Sequence, residues 1–185
     1  MQRGAVINVL LVGYGYWGKN IARVIRQNSR CRLVGVVELN EAIREEIKLY
    51  FPTEQVFSSL QESIEKVTID AVVVATPVSD HYALTLYALE NGCSVFCEKV
   101  LSKQMSEIEN LYRVANKTGV CLREGFTFLT NPAIQYIKGA INAKDLGKVY
   151  CVTLKRTGLG PCRSDVDVIF DLAAHDVSIL NFWFG

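Results

Sequence analysis

The feature that most constrains this chain is a glycine-rich turn between a strand pattern and a helix pattern. Apolar residues run over positions 5–12, and the segment 13–18, with the sequence GYGYWG, follows directly. Beyond it, apolar side chains recur at helical spacing over positions 19–26. A strand, a glycine turn and a helix in this order predict the first unit of a parallel sheet with helices packed on it.

The glycines of this turn predict a phosphate-binding loop. Gly13 allows the tight turn, Gly15 lets the backbone approach a pyrophosphate, and Gly18 lets the helix pack close to the strand. Tyr16 and Trp17 would contribute backbone N–H groups and apolar cover, because free N–H groups at a helix start face phosphates. The alternative is a tight structural turn without a ligand. The context favours dinucleotide binding.

A carboxylate after the second strand indicates which dinucleotide would bind. The apolar stretch 32–37 ends in Glu38, twenty residues after Gly18. A carboxylate there can accept hydrogen bonds from both adenosine ribose hydroxyls, and it would repel a 2′-phosphate. The sequence therefore favours NAD as the cofactor over NADP.

Composition excludes several classes of function. The chain has 185 residues, 50% of them hydrophobic, and a formal net charge of +1. A net charge this close to zero does not indicate the basic surface that binds nucleic acid or an anionic membrane. No apolar run approaches the roughly 20 residues of a membrane span. We expect a cytoplasmic protein with one well-buried domain and part of a second.

Cysteine and histidine usage argues against a metal site. The six cysteines contain no C-x-x-C pair, and the chain has two histidines. We expect the cysteines to act as small buried hydrophobic residues in a reduced compartment; they are Cys31, Cys93, Cys97, Cys121, Cys151 and Cys162.

Strand and helix patterns alternate over the first two thirds of the chain, as in a parallel sheet with helices on both faces. Ser79 and Asp80 are expected to cap one helix and Ser102 another, and the domain is predicted to end at residue 125. The predicted strands are 6–12, 32–38, 56–57, 70–75, 94–97 and 120–123, and the predicted helices are 18–27, 41–50, 60–67, 81–91 and 102–118.

The remaining residues, 126–185, predict a shorter second domain. Pro132 stands at a first helical position, which predicts a helix to about residue 143, and a strand is predicted over 148–155. A last helix is expected over 166–183. It would carry Asp171 and His175, whose spacing of four places them on one face.

Four motifs in order resemble the glucose–fructose oxidoreductase / inositol dehydrogenase (Gfo/Idh/MocA) family. They are the segment 69–77 (IDAVVVATP) followed by His81, the segment 88–99 (ALENGCSVFCEK), Glu98-Lys99-Val100 at the place of the family's Glu-Lys-Pro motif, and Asp171-x-x-x-His175. The resemblance covers essentially the whole chain. It implies a Rossmann-type doubly wound parallel sheet over 1–125 and, over 126–185, the incomplete beginning of an α+β substrate and oligomerisation domain.

Two departures from the family pattern matter. Val100 replaces the proline of the family's Glu-Lys-Pro motif, and a cis peptide bond before a residue other than proline costs about 2.5–4 kcal/mol. If the family's bond is cis, a different backbone is expected here. Family members are also much longer, so the chain is interpreted as truncated in its C-terminal domain.

The resemblance implies a catalytic set and further cofactor contacts. Lys99 would orient the reacting hydroxyl and His175 would act as the general base. Asp171 would either orient the hydroxyl or support Lys99 and His175 electrostatically. Thr76 and Pro77 would line the cofactor groove, and Glu98, beside Lys99, would be a further cofactor contact. His81 is interpreted as structural, with hydrogen bonds near the cofactor rather than a chemical role.

The function implied is transfer of a hydride between a secondary hydroxyl of a sugar or sugar nucleotide and the nicotinamide of NAD. Arg163 would bind a substrate phosphate or carboxylate, and a solvated loop arginine is the alternative. A truncated, catalytically inactive NAD-binding module is the alternative for the whole chain. The apolar C-terminal segment 179–185 predicts assembly as a homo-oligomer.

Overall fold

A parallel sheet of six strands underlies the first part of the structure, a computed structural model that describes residues 6–52, 55–157 and 166–185. The strand order is β3-β2-β1-β4-β5-β6. The strands are β1 (Ile7–Val12), β2 (Cys31–Val37), β3 (Val56–Phe57), β4 (Ala71–Val74), β5 (Ser94–Cys97) and β6 (Leu122–Glu124). The predicted doubly wound parallel sheet is confirmed.

Helices connect these strands and continue beyond them. They are α1 (Tyr16–Gln27), α2 (Glu41–Lys48), α3 (Leu60–Lys66), α4 (Val78–Glu90), α5 (Met105–Thr118), α6 (Pro132–Asn142) and α7 (Ala174–Phe184). The chain divides into two compact units, the first ending at Glu124 and the second comprising Gly125–Gly185.

Alternation along β1 explains why helices cover both faces of the sheet. Leu10 and Val12 belong to a buried cluster that includes residues of α4 and α5. Val9 and Leu11 point the other way, into a cluster that includes residues of α1 and α2. A central parallel strand buried on both faces is continuously apolar, as residues 9–12 are.

Two of the predicted helix caps are not found. Helix α4 begins at Val78 with Pro77 in the N-cap position, so Ser79 and Asp80 lie inside its first turn and do not cap it. The reason is that proline's fixed φ, here −58°, already suits a helix entry. Helix α5 begins at Met105 with Gln104 as its N-cap residue, so Ser102 lies ahead of the helix and does not cap it; its hydroxyl accepts the Gln104 N–H at 3.0 Å instead.

The second unit contains the predicted proline-started helix. Asn131 caps α6 by accepting the Ala133 N–H at 2.9 Å. The strand predicted over 148–155 is wrong: in the described part of the unit these residues have no neighbouring strand, and a strand needs a hydrogen-bonded partner. The predicted last helix is present over most of its range, but a π-helical turn, Ile169–Ala173, precedes α7.

The cysteines only partly follow the expectation of burial. Cys93 and Cys97 are buried and Cys31 is half-buried, but Cys121 and Cys151 are exposed. Cys121 directly precedes the edge strand β6 and Cys151 lies in irregular backbone, so neither is covered from both sides. Cys162 lies outside the described residues.

Candidate functional site

A cleft of about 590 Å³ opens at the carboxyl ends of β1, β2 and β4. Strands β1 and β4 are neighbours, although the chain winds to opposite sides after each of them, so the cleft lies at the switch point of the sheet. Open parallel sheets bind ligands at this position. Five of the predicted cofactor residues line it: Gly13, Gly15, Glu38, Thr76 and Pro77.

The three glycines of the turn have different surroundings. Gly13 has φ +93°, and a Cβ there would lie 2.6 Å from the Ala75 carbonyl oxygen. A Cβ on Gly18 would lie 2.2 Å from the carbonyl oxygen of Gly13. Gly15 differs, because a Cβ there would have no described atom within 4 Å. Gly13 and Gly18 are therefore needed for backbone packing, while Gly15 leaves a space beside the helix start that a side chain would fill.

The start of α1 presents backbone donors next to that space. Gly15 is the N-cap residue and supplies no side-chain cap, and Tyr16 and Trp17 form the first turn. The first N–H groups of a helix have no intrahelical partner and favour anions. Tyr16 and Trp17 are 79% and 60% exposed, and their rings meet edge to face at 5.5 Å. This arrangement fits a pyrophosphate.

Two backbone donors hold the Glu38 carboxylate in place at the cleft. Its Oε2 accepts the Tyr14 N–H at 2.9 Å, and its Oε1 accepts the Asn40 N–H at 2.9 Å. Each carboxylate oxygen can accept a further hydrogen bond. The glycine turn and the end of β2 are thus joined through Glu38, and the residue keeps the capacity to accept ribose hydroxyls.

The segment after β5 carries Glu98 and Lys99, both half-buried. The Glu98 N–H donates to the Val74 carbonyl at 2.9 Å, which continues the pairing of β5 with β4. The peptide bond between Lys99 and Val100 is cis.

Side chains from two other elements contact this segment. The His81 Nδ1 lies 2.7 Å from the Val100 carbonyl oxygen, and Glu124 Oε1 accepts the Leu101 N–H at 3.0 Å. Burial raises the pKa of Glu124, and the Leu101 N–H partly opposes that shift. The contact between the His81 ring and the Val100 carbonyl, next to Lys99, could not be predicted from the sequence.

In the second unit, Asp171 lies in the π-helical turn and His175 in the first turn of α7. The His175 ring meets the Phe128 ring edge to face at 4.9 Å, and the Phe126 ring at 6.2 Å. Such π-helical turns are frequent at functional sites. The predicted shared face of Asp171 and His175 assumed an α-helix, whereas the turn that carries Asp171 is π-helical.

An ion pair beside His175 was not foreseen from the sequence. Arg156 Nε donates to Asp176 Oδ1 at 2.7 Å, and its guanidinium lies 4.6 Å from the centre of the Phe128 ring. The Asp176 carboxylate is therefore paired with the Arg156 guanidinium of the same unit. Arg163, the predicted substrate contact, lies outside the described residues.

The fold and the cleft are those of a Rossmann-type dinucleotide-binding domain. Residues 7–126 match the family described as "Oxidoreductase family, NAD-binding Rossmann fold". The chain belongs to this family, Gfo/Idh/MocA.

Known relatives extend the comparison. The chain is 28% identical to scyllo-inositol 2-dehydrogenase (NAD(+)) of Bacillus subtilis, over 99% of this chain and 54% of the relative. It is 29% identical to 2,7-anhydro-N-acetylneuraminate hydratase of Mediterraneibacter gnavus, over 78% of this chain and 38% of the relative. The chain thus spans about half the length, or less, of these relatives.

A solved structure also supports the fold. GenD2 from gentamicin A biosynthesis, in complex with NAD, superposes with a TM-score of 0.86 at 23% identity, over 100% of this chain and 55% of GenD2. In the described parts of the chain, no helix is long and apolar enough to cross a membrane. The same residues contain no group of three or more His, Cys, Asp or Glu side chains that could hold a metal ion.

Proposed function

We propose that the chain is the cofactor-binding part of an NAD-dependent oxidoreductase that acts on a secondary hydroxyl of a sugar or sugar nucleotide. The observation that carries this proposal is the cleft at the switch point, where open space at Gly15 meets the ordered carboxylate of Glu38. The relatives named as inositol 2-dehydrogenases support a hydroxylated small molecule as substrate.

Different residues of the cleft would bind different parts of NAD. The amide groups at the start of α1 would hold the pyrophosphate, and Glu38 would accept hydrogen bonds from the adenosine ribose. The negative charge of Glu38 disfavours the 2′-phosphate of NADP, which supports NAD as the cofactor. Thr76 and Pro77 form the wall after β4.

The nicotinamide of bound NAD supplies the site that accepts or releases a hydride. The Lys99 ammonium would hydrogen-bond the substrate oxygen and stabilise negative charge that develops on it. The His175 imidazole would take the hydroxyl proton, because imidazole exchanges protons near neutral pH. Asp171, four residues before His175, would orient the hydroxyl or support the charges of Lys99 and His175.

A paired substitution tests this assignment. Lys99→Ala should lower kcat by at least about 100-fold, a typical effect of losing a positioned proton-handling or charged group, and should leave the NADH Kd within about twofold. Lys103→Ala is the control, since Lys103 is exposed on the same connection. NADH production would be followed with a panel of inositols, sugars and sugar nucleotides.

The possible results of this experiment distinguish the catalytic role of Lys99 from the alternative of an inactive NAD-binding module. Turnover retained in Lys99→Ala would contradict the role of Lys99. NADH binding by the unsubstituted chain, with no turnover on any substrate of the panel, would favour the inactive NAD-binding module. No binding of NADH would contradict the proposal as a whole.

A further inference from the structure

His81 is a buried residue whose ring joins two backbone carbonyl groups. It lies in the first turn of α4 and is 1% exposed. Its Nδ1 lies 2.7 Å from the Val100 carbonyl oxygen and its Nε2 lies 2.9 Å from the Thr76 carbonyl oxygen. Both distances are those of hydrogen bonds. A neutral imidazole can donate one of them, and an imidazolium can donate both.

The two carbonyl groups belong to functionally distinct parts of the first unit. Thr76 follows β4 and lines the cleft. Val100 follows Lys99 after β5. Strands β4 and β5 pair from Ala71 and Ser94 to Val74 and Cys97, so their carboxyl ends are adjacent. The ring therefore connects the cleft wall to the segment that carries Lys99, at a point where strand pairing has ended.

Glu124 contacts the same segment from the other neighbouring strand. It ends β6, which pairs with β5, and its Oε1 accepts the Leu101 N–H at 3.0 Å. Leu101 is fully buried, so its N–H has no access to water as an alternative partner. The backbone after Lys99 is thus held through a carbonyl group on one side and an N–H group on the other.

We propose that His81 is a positioning residue that fixes the Lys99 segment relative to the Thr76 wall of the cofactor cleft, with Glu124 as the second anchor of that segment. Only the expected effect on NADH binding rests on the proposed function. The contact between His81 and Val100 does not depend on whether the chain binds NAD. A residue that merely filled space between α4 and the sheet would not need a ring nitrogen within hydrogen-bond distance of each carbonyl oxygen.

Amide side chains separate the two contacts. The amide nitrogen of Asn reaches the position of the histidine Nδ1, and that of Gln reaches the position of Nε2. His81→Asn should therefore keep the Val100 contact, and His81→Gln should keep the Thr76 contact. His81→Leu keeps neither. All three variants are first checked for folding by circular dichroism and thermal melting.

Two readouts follow the two contacts. Hydrogen exchange of the Leu101 amide, followed by NMR in the cofactor-free protein, reports on the Lys99 segment; the NADH Kd, followed by fluorescence, reports on the cleft wall. His81→Gln should keep the NADH Kd within about twofold and speed Leu101 exchange about tenfold. His81→Asn should raise the NADH Kd about tenfold and leave Leu101 exchange within about twofold. Losing one buried hydrogen bond changes an equilibrium by about this factor. His81→Leu should change both.

Glu124 supplies the matched control for the exchange readout. Glu124→Gln keeps a carbonyl acceptor for the Leu101 N–H and should leave its exchange nearly unchanged, whereas Glu124→Ala should speed it about tenfold. Equal effects of His81→Asn and His81→Gln on both readouts would overturn the proposal, as would slow Leu101 exchange in His81→Leu. If the unsubstituted chain fails to bind NADH, the proposed function fails, and Leu101 exchange alone decides the role of His81.

Discussion

Alanine substitution of the three turn glycines separates cofactor binding from backbone packing. Gly13→Ala places a side chain at φ +93° and 2.6 Å from a carbonyl oxygen. Backbone strain and overpacking together should lower the free energy of unfolding by about 2–5 kcal/mol. Gly15→Ala meets no described atom within 4 Å and has φ −71°, so it should cost about 1 kcal/mol or less.

Among the three glycine variants, the loss of NADH affinity should not parallel the loss of stability. The new methyl group of Gly15→Ala occupies the space assigned to the pyrophosphate, so the NADH Kd should rise at least about tenfold while the protein stays folded. Gly18→Ala should behave like Gly13→Ala, because its Cβ would lie 2.2 Å from a backbone oxygen. Urea unfolding and NADH fluorescence titration measure the two quantities on the same samples.

Gly139→Ala is the matched control for the turn variants. Gly139 lies inside α6, where a Cβ would meet no described atom within 4 Å apart from its chain neighbours and the backbone of the helix itself. Alanine should stabilise this helix by about 0.5–1 kcal/mol and leave NADH binding unchanged. The reasoning would be refuted if Gly15→Ala bound NADH as well as the unsubstituted chain, or if Gly13→Ala unfolded at the same urea concentration as the unsubstituted chain.

Two further predictions follow from carboxylates of the first unit. Glu38→Gln removes the charge that repels a 2′-phosphate, so the ratio of the NADPH Kd to the NADH Kd should fall by about tenfold; an unchanged ratio would show that Glu38 does not select the cofactor. The Lys66 ammonium, with the backbone N–H and hydroxyl of Ser58, lowers the pKa of Glu62 from 4.5 to about 2. A lowered pKa gives a stability contribution that is complete above pH 4.5 and is lost as the pH falls through about 2. The urea midpoint of Glu62→Gln should therefore fall less steeply than that of the unsubstituted chain between these pH values, and parallel curves would contradict the contribution of Glu62.

Much of the first unit could be predicted from the sequence because its signals are local. The apolar run into Gly13 and the glycine spacing define the turn before any tertiary contact is considered. The three consecutive valines at positions 72–74 favour a buried strand, and Gly119, at φ +74°, ends α5 as expected. The position of Glu38 followed from the end of the second strand.

The features that the sequence did not reveal depend on partners distant in the chain. A strand pattern over 148–155 describes side-chain preference but does not supply a neighbouring strand. The bridge from His81 to Val100 joins residues 19 positions apart and needs the sheet to form first. The π-helical turn at Asp171 has no residue signature, and the Arg156–Asp176 pair joins residues 20 positions apart.

The most direct measurement of the central claim is a fluorescence titration of the cofactor-free chain with NADH and, in parallel, with NADPH. The account predicts saturable binding of NADH, competition by NAD, and weaker binding of NADPH. Saturable binding with no preference would contradict the role of Glu38, and no binding of either nucleotide would contradict the assignment of the cleft as a cofactor site.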